Sequence, residues 1–160
     1  MKTALFVLSL LCCAPLAAKA ADSPLAGTWT LVAADLLLPE GRQTHDYGEA
    51  PKGLFIIDRE GNYSLQIYDS SRPRYASGDR KTGTIEEYRG NAVGISAHFG
   101  TIAVDTATHT MTLHMVQASF PNSDGTEQKR FYELKGDELS YRVEARKDGS
   151  VPISVWRRVK

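Results

Sequence analysis

Thiols are what this chain has least of where they would matter. Its only cysteines, Cys12 and Cys13, close an apolar run beginning at Ala4, just after Lys2. That run is too short to span a bilayer, and Ala18-Lys19-Ala20 puts small residues where signal peptidase reads. Residues 1–20 are therefore read as a signal peptide and residues 21–160 as a single domain, periplasmic or secreted. The expected mature chain has no thiol in an oxidising compartment, which excludes a disulfide scaffold, a thiol enzyme and a cysteine–zinc site. Charge of one sign is also lacking. Of 19 basic and 19 acidic residues, the leader removes Lys2 and Lys19, leaving 17 against 19, or a net of about −2. With no block of like charge, neither nucleic acid nor an anionic membrane is expected as the main partner. No later apolar run is long enough to cross a membrane. There is no phosphate loop, dinucleotide fingerprint or zinc-protease motif, and no nucleophile elbow surrounds Ser119. No cofactor and no metal are expected.

What the chain does have is alternation. Period-two runs predict strands over Gly27–Ala34, Gly53–Asp58, Asn62–Tyr68, Ser96–Val104, Thr110–Ala118, Gln128–Lys135, Glu138–Ala145 and Val151–Arg158. Short turns join most of them: Glu60-Gly61-Asn62, Lys135-Gly136-Asp137 and Asp148-Gly149. Neighbouring hairpins of this kind predict an all-β, eight-stranded antiparallel up-and-down barrel. A short helix is expected in the long loop between strands 3 and 4. There Thr84-Ile85-Glu86-Glu87 matches a capping box and Gly94 a stop, with Ile85, Tyr88 and Ala92 along one face. Such a helix is expected to pack over the barrel as a lid or plug.

An up-and-down barrel must pair its first strand with its last or leave two open edges. Trp29 lies on the first, on a face with Leu31 and Ala33, while Arg157 and Arg158 end the last. An arginine across the indole, with Gly27 allowing a tight bend beneath, would form the floor of a closed barrel. Gly-x-Trp on a first strand with arginine on the last resembles the signature of lipocalins and related calycin barrels. Longer stretches, LAGTWTLVAAD, YGEAPKGLFIIDREGNYSLQI, RPRYASGDR, EEYRGNAVGISAHFG and ASFPNSDGTEQKRFYELKGDEL, are similar in order to segments of the bacterial and fungal lipocalin-like domain family. The resemblance spans about Leu25 to Arg158 and implies a calycin-type barrel, but no single activity. Where that family usually reads Phe-Pro-Asn-Trp, this chain has Ser123 in the tryptophan's place, which would change one wall of the site.

Polar residues on strands where apolar ones would suffice are the candidates for function. Gln66, Tyr68, His98, His114, Gln128 and Arg130 would converge inside a barrel as a few placed donors among apolar walls, with Phe120 capping the mouth and Asn122 touching ligand. Each has a plainer reading: a solvent-facing strand position, an ion pair of Arg130 with Glu127 or Glu133, an Asx bond of Asn122 within its own turn. Arg74, in the helix loop, reads either as a mouth residue or as solvated charge. His98 and His114 raise two further options, a metal pair with His45 or His109, or a general base beside Tyr68 or Arg130. The expectation is an exported monomer that binds a small, largely apolar or amphipathic molecule, acidic if Arg130 faces it. The alternatives are a cofactor-free isomerase or cyclase using the same pocket, and a protein-interaction module whose barrel is filled by side chains.

Overall fold

The computed structural model describes residues 23–160; the leader and cleavage site expected from the sequence fall outside the described residues. The elements are β1 (Gly27–Leu37), β2 (Gln43–Thr44), β3 (Lys52–Ile57), β4 (Asn62–Tyr68), α1 (Ile85–Val93), β5 (Ile95–Asp105), β6 (Thr110–Ala118), β7 (Glu127–Lys135), β8 (Glu138–Val143) and β9 (Val151–Arg158), with a 3₁₀ turn at Pro121–Ser123. All neighbouring strands pair antiparallel in the order β1-β3-β4-β5-β6-β7-β8-β9, and β9 returns to β1, closing eight strands into a barrel. Closure leaves no long edge unpaired, which an open sheet of alternating strands could not achieve. The two-residue β2 is an addition that the polar loop composition did not reveal; it pairs with Leu36 and Leu37 at the far end of β1. Counting it, the helix follows the fourth strand rather than the third.

Alternation places one face of every strand in a single core of Trp29, Ala34, Phe55, Ile57, Tyr63, Leu65, Ile67, Ile102, Met111, Leu113, Tyr132, Leu139, Tyr141 and Trp156, with Leu25 beneath it. Two irregularities bend the ring. On β1 the register with β9 slips between Leu31 and Ala33. The extra residue, Val32, is exposed, and past it Ala34 rather than Ala33 turns inward, so Trp29 does not share its face with Ala33 as strict alternation expected. On β5 the register slips between Phe99 and Gly100, where a Cβ on Gly100 would lie 1.9 Å from the His114 carbonyl oxygen. Only glycine lets β5 and β6 approach so closely at this bend.

The floor is built by the two ends of the barrel. Trp29 is fully buried, and its indole Nε1 donates to the Leu25 carbonyl at 2.9 Å. The Arg158 guanidinium lies 4.0 Å over the ring and donates to the carbonyls of Ala26 and Pro24, each at 2.7 Å. A side chain at Gly27, whose φ is +137°, would meet Arg158 Nη1 at 2.8 Å. One guanidinium thus satisfies two carbonyls of the segment leading into β1 and covers the indole, a contact worth about 0.5–2 kcal/mol before the hydrogen bonds are counted. Arg157 points the other way, to the surface, 3.8 Å from Glu138.

The helix forms where its local code places it. Thr84 Oγ1 accepts from the Glu87 amide at 3.2 Å, the Glu87 carboxylate accepts from the Thr84 amide at 2.7 Å, and the Gly94 amide closes on the Gly90 carbonyl. It is not a lid. No helix residue is buried, and Ile85 and Val93 are largely exposed. Its contacts are mostly with its own loop: Tyr88 against Tyr75, and Asn91 Nδ2 to the Pro73 carbonyl. Too few apolar side chains fall on one stripe to hold it against the sheet.

Candidate functional site

The barrel is filled at the Trp29 end and open at the other. A cavity of about 340 Å³ occupies the open end, within the range of small-molecule pockets. Its apolar wall includes Ala34, Leu65, Ile67, Met115, Val143 and Pro152. Two loop contacts cross its rim: Asp46 pairs with Arg146 at 3.2 Å, and His45 Nδ1 meets the buried Asp35 carboxylate at 2.9 Å, which raises the His45 pKa. No residue of α1 or its loop, Arg74 included, lines the cavity.

At the inner end sits a polar group on four strands. Arg130, on the inward face of β7 with Tyr132, is 4% exposed. Its Nε and Nη2 both donate to Gln128 Oε1, at 2.9 and 2.7 Å, and Nη2 also reaches His98 Nε2 at 3.2 Å. The guanidinium lies 4.7 Å over the Tyr141 ring. On the other side of His98, Nδ1 is 2.9 Å from Tyr63 Oη. These contacts assign the imidazole proton. Arginine can only donate, so Nε2 must accept, and the hydrogen sits on Nδ1, donated to Tyr63. Burial, reinforced by the adjacent guanidinium, holds His98 down to about 3, and burial pushes the Tyr63 phenol up to about 12. Both are neutral at physiological pH, leaving Arg130 as the group's one charge. Glu127 and Glu133, its conceivable partners, are exposed on the outer face, and among the described residues no carboxylate pairs with it. Nη1 is buried without any partner.

Of the eight candidates, the structure brings His98, Gln128 and Arg130 together and sets Phe120 at the rim, 63% exposed. Gln66, Tyr68 and His114 are not with them. On β4 the inward positions belong to Tyr63, Leu65 and Ile67, so Gln66 and Tyr68 point out; Tyr68 Oη donates to Gln66 and Arg72 lies 4.6 Å over the phenol ring. On β6 the inward face is Met111, Leu113 and Met115, which puts His114 outside, 4.0 Å from Glu127. In both strands the uniformly apolar face is the buried one. Because His98 and His114 lie on opposite sides of the sheet, they cannot share a metal ion. The described residues contain no group of three His, Cys, Asp or Glu side chains placed to hold one. Asn122 is exposed in the 3₁₀ turn and lines no part of the cavity, whereas Ser123 does. Tyr63 and Tyr141 escaped the sequence reading because they look like ordinary core aromatics. Their one signal is that they alternate with polar residues on strands beside His98 and Arg130.

A closed antiparallel barrel, plugged at one end by a tryptophan–arginine floor and hollow at the other, defines a calycin-type protein. The chain belongs to the lipocalin-like domain family, whose model matches residues 26–159. Among solved structures, it is similar to a lipocalin-like protein from Bacteroides uniformis at 14% identity, covering 84% of this chain and 98% of that one, with a TM-score of 0.45. An uncharacterized protein from Bacteroides eggerthii is similar at 14% identity over the same shares, 84% and 98%, with a TM-score of 0.38. No curated protein matches the chain. No helix among the described residues is long and apolar enough to cross a membrane.

Proposed function

We propose that this chain is an exported binding protein for a small, largely apolar acid, held in the barrel with its acid group on Arg130. One observation carries the reading: a guanidinium buried at the end of a ligand-sized cavity, with no carboxylate partner among the described residues and with Nη1 unmatched. An uncompensated buried charge costs several kcal/mol. An anionic ligand offsets that cost, and the apolar wall adds affinity at about 25 cal/mol per Å² of apolar area buried, before binding costs. The leader-like segment supports export. Closure of the barrel within one chain supports a monomer.

The isomerase or cyclase reading is weaker on this geometry. A general base needs a free lone pair and a pKa near the working pH. His98 has both ring nitrogens engaged and is held down to about 3, and His114 faces solvent. The filled-barrel module is weaker too, because the open half of the barrel is hollow.

Native mass spectrometry of protein purified without denaturant from the compartment it is exported to tests the proposal. The expected species is a one-to-one complex that releases an apolar acid, and Arg130→Gln should weaken acid binding by about 30-fold or more, as truncating one partner of a buried charge pair does. A neutral released molecule, or equal affinity of wild type and Arg130→Gln for the acid, would refute it.

A further inference from the structure

The outer surface of the barrel is uneven in charge. Outward positions on β7 and β8 are mostly ionic: Lys129, Glu133, Lys135, Glu138 and Arg142. Across β3 to β6, two neighbouring cross-strand rows carry no charge at all, Leu54–Gln66–Ala97 and Ile56–Ser64–Phe99–Gln117. A groove of about 520 Å³ is cut into these rows. Ala97 makes the depression, because its short side chain lies between Gln66 on β4 and the loop after β6. That loop is fastened to the strand: the Ser119 amide donates to the Ala97 carbonyl at 2.6 Å, and Ser119 Oγ accepts from the Ala97 amide at 3.0 Å. Phe99 stands at the groove's end, 48% exposed.

The polar groups around the ring have capacity to spare. Tyr68 Oη donates to Gln66 Oε1 at 3.1 Å, which leaves the Gln66 NH₂ as the free end of the carboxamide. Among the described residues, Ser64 Oγ and the Gln117 carboxamide make no hydrogen bond within the chain. The nearby charges are engaged or set back. Asp124 lines the groove but accepts from the Ala118 amide at 2.7 Å, Arg72 lies over the Tyr68 ring, and Lys52 is beyond it, opposite Tyr68 on β3. Gln66, Tyr68, Phe99 and Gln117 line the groove and not the barrel cavity, whereas Met115 and Arg130 line the cavity and not the groove.

We infer that this outer groove is a second binding site, for a neutral saccharide, with Phe99 as the stacking platform and Gln66, Gln117 and Ser64 as its hydrogen-bonding partners. The electron-rich face of an aromatic ring receives the C–H face of a sugar. The sugar's hydroxyls both donate and accept, as the carboxamides and the serine do. A hydrocarbon would displace water from these groups and leave them unpaired, and an ion would find no free counter-charge in the groove. The volume is that of about seventeen waters at liquid density, room for one or two hexose rings. The inference does not depend on what the barrel holds.

Nuclear magnetic resonance of the ¹⁵N-labelled protein tests it, with maltose, cellobiose and N,N′-diacetylchitobiose as neutral probes and glucuronate and cyclohexanol as comparators. At least one disaccharide should saturably shift the side-chain NH₂ signals of Gln66 and Gln117 and the Phe99 amide, with a Kd of about 10 mM or tighter. Glucuronate and cyclohexanol should bind about tenfold or more weakly. Phe99→Ala should weaken the best disaccharide by about tenfold or more, and Gln117→Ala by about threefold or more, with thermal unfolding still cooperative. Phe131→Ala removes an equally exposed ring from the charged side, beneath Lys129, and should change nothing. The inference is overturned if no disaccharide moves the groove signals, or if a comparator binds as tightly as the best of them. Unchanged affinity in Phe99→Ala, or shifts centred on Met115 and Val143 in the cavity wall, would overturn it equally.

Discussion

Replacing His98 by glutamine should change how stability depends on pH while leaving the hydrogen bonds intact. A carboxamide oxygen can accept from Arg130 and its NH₂ can donate to Tyr63, so both contacts of the imidazole have a counterpart. What disappears is a titration. In the folded barrel burial, with Arg130 alongside, lowers the His98 pKa from an ordinary 6.5 to about 3. Between those values the unfolded chain binds a proton that the folded chain does not, so stability rises with pH by about 1.4 kcal/mol per unit. The contribution is complete above about pH 6.5 and is lost as pH falls toward 3. Between pH 6.5 and 4.5 the wild type should therefore lose about 2–3 kcal/mol more than His98→Gln. Urea unfolding of both proteins at pH 7.5, 6.5, 5.5 and 4.5 gives the two curves. Their difference isolates His98, because groups that titrate elsewhere cancel. Among these, His45 has the opposite sign: Asp35 raises its pKa, so its contribution is present below 6.5 and lost as pH rises through the folded value. The lowered carboxylates Asp58 and Glu87 contribute above their unfolded values and lose that contribution in acid. Parallel curves for wild type and variant would refute the neutral, proton-on-Nδ1 assignment of His98.

Other perturbations test separate parts of the fold. Trp29→Ala should cost about 3–5 kcal/mol in urea unfolding, since it removes a fully buried indole and its bond to Leu25; a loss below about 1 kcal/mol would contradict the floor. Arg158→Lys keeps the charge but loses the two-carbonyl fork, and should lower stability by about 1–2 kcal/mol. Gly100→Ala should cost about 1–3 kcal/mol, because the new Cβ meets backbone on β6 that can yield only by shifting the strand. Thr84→Ala should weaken α1 locally by about 1 kcal/mol, seen as faster amide exchange across Ile85–Val93. The global urea midpoint should barely move, because the helix buries no side chain.

Much of the fold was legible because it is written locally. Strand positions follow from period-two alternation, the hairpins from their turn residues, and α1 from a capping box whose donors and acceptors lie three residues apart. The tryptophan and arginine of the floor could be paired on topology alone, since a barrel must join its ends. Parts of the site were legible for the same reason: Gln128, Arg130 and Tyr132 share a face at any register of β7.

What alternation could not decide is which of two faces lies inside. A strand carries both, and the answer comes from how eight of them close together. Closure sent Gln66, Tyr68 and His114 outward in favour of uniformly apolar faces, and one bulged residue at Val32 exchanged Ala33 for Ala34. It also left α1 outside the mouth, where its sequence had suggested a cover. The state of Arg130 is the furthest from sequence. Nothing in the order Gln128-Lys129-Arg130 tells that the guanidinium is buried with no carboxylate paired to it among the described residues, or that His98, held by Tyr63 and far away in the chain, accepts from it. Short-range pattern determined where the chain extends and turns. Long-range closure determined which side chains meet, because contacts across a barrel depend on the register of all its strands at once.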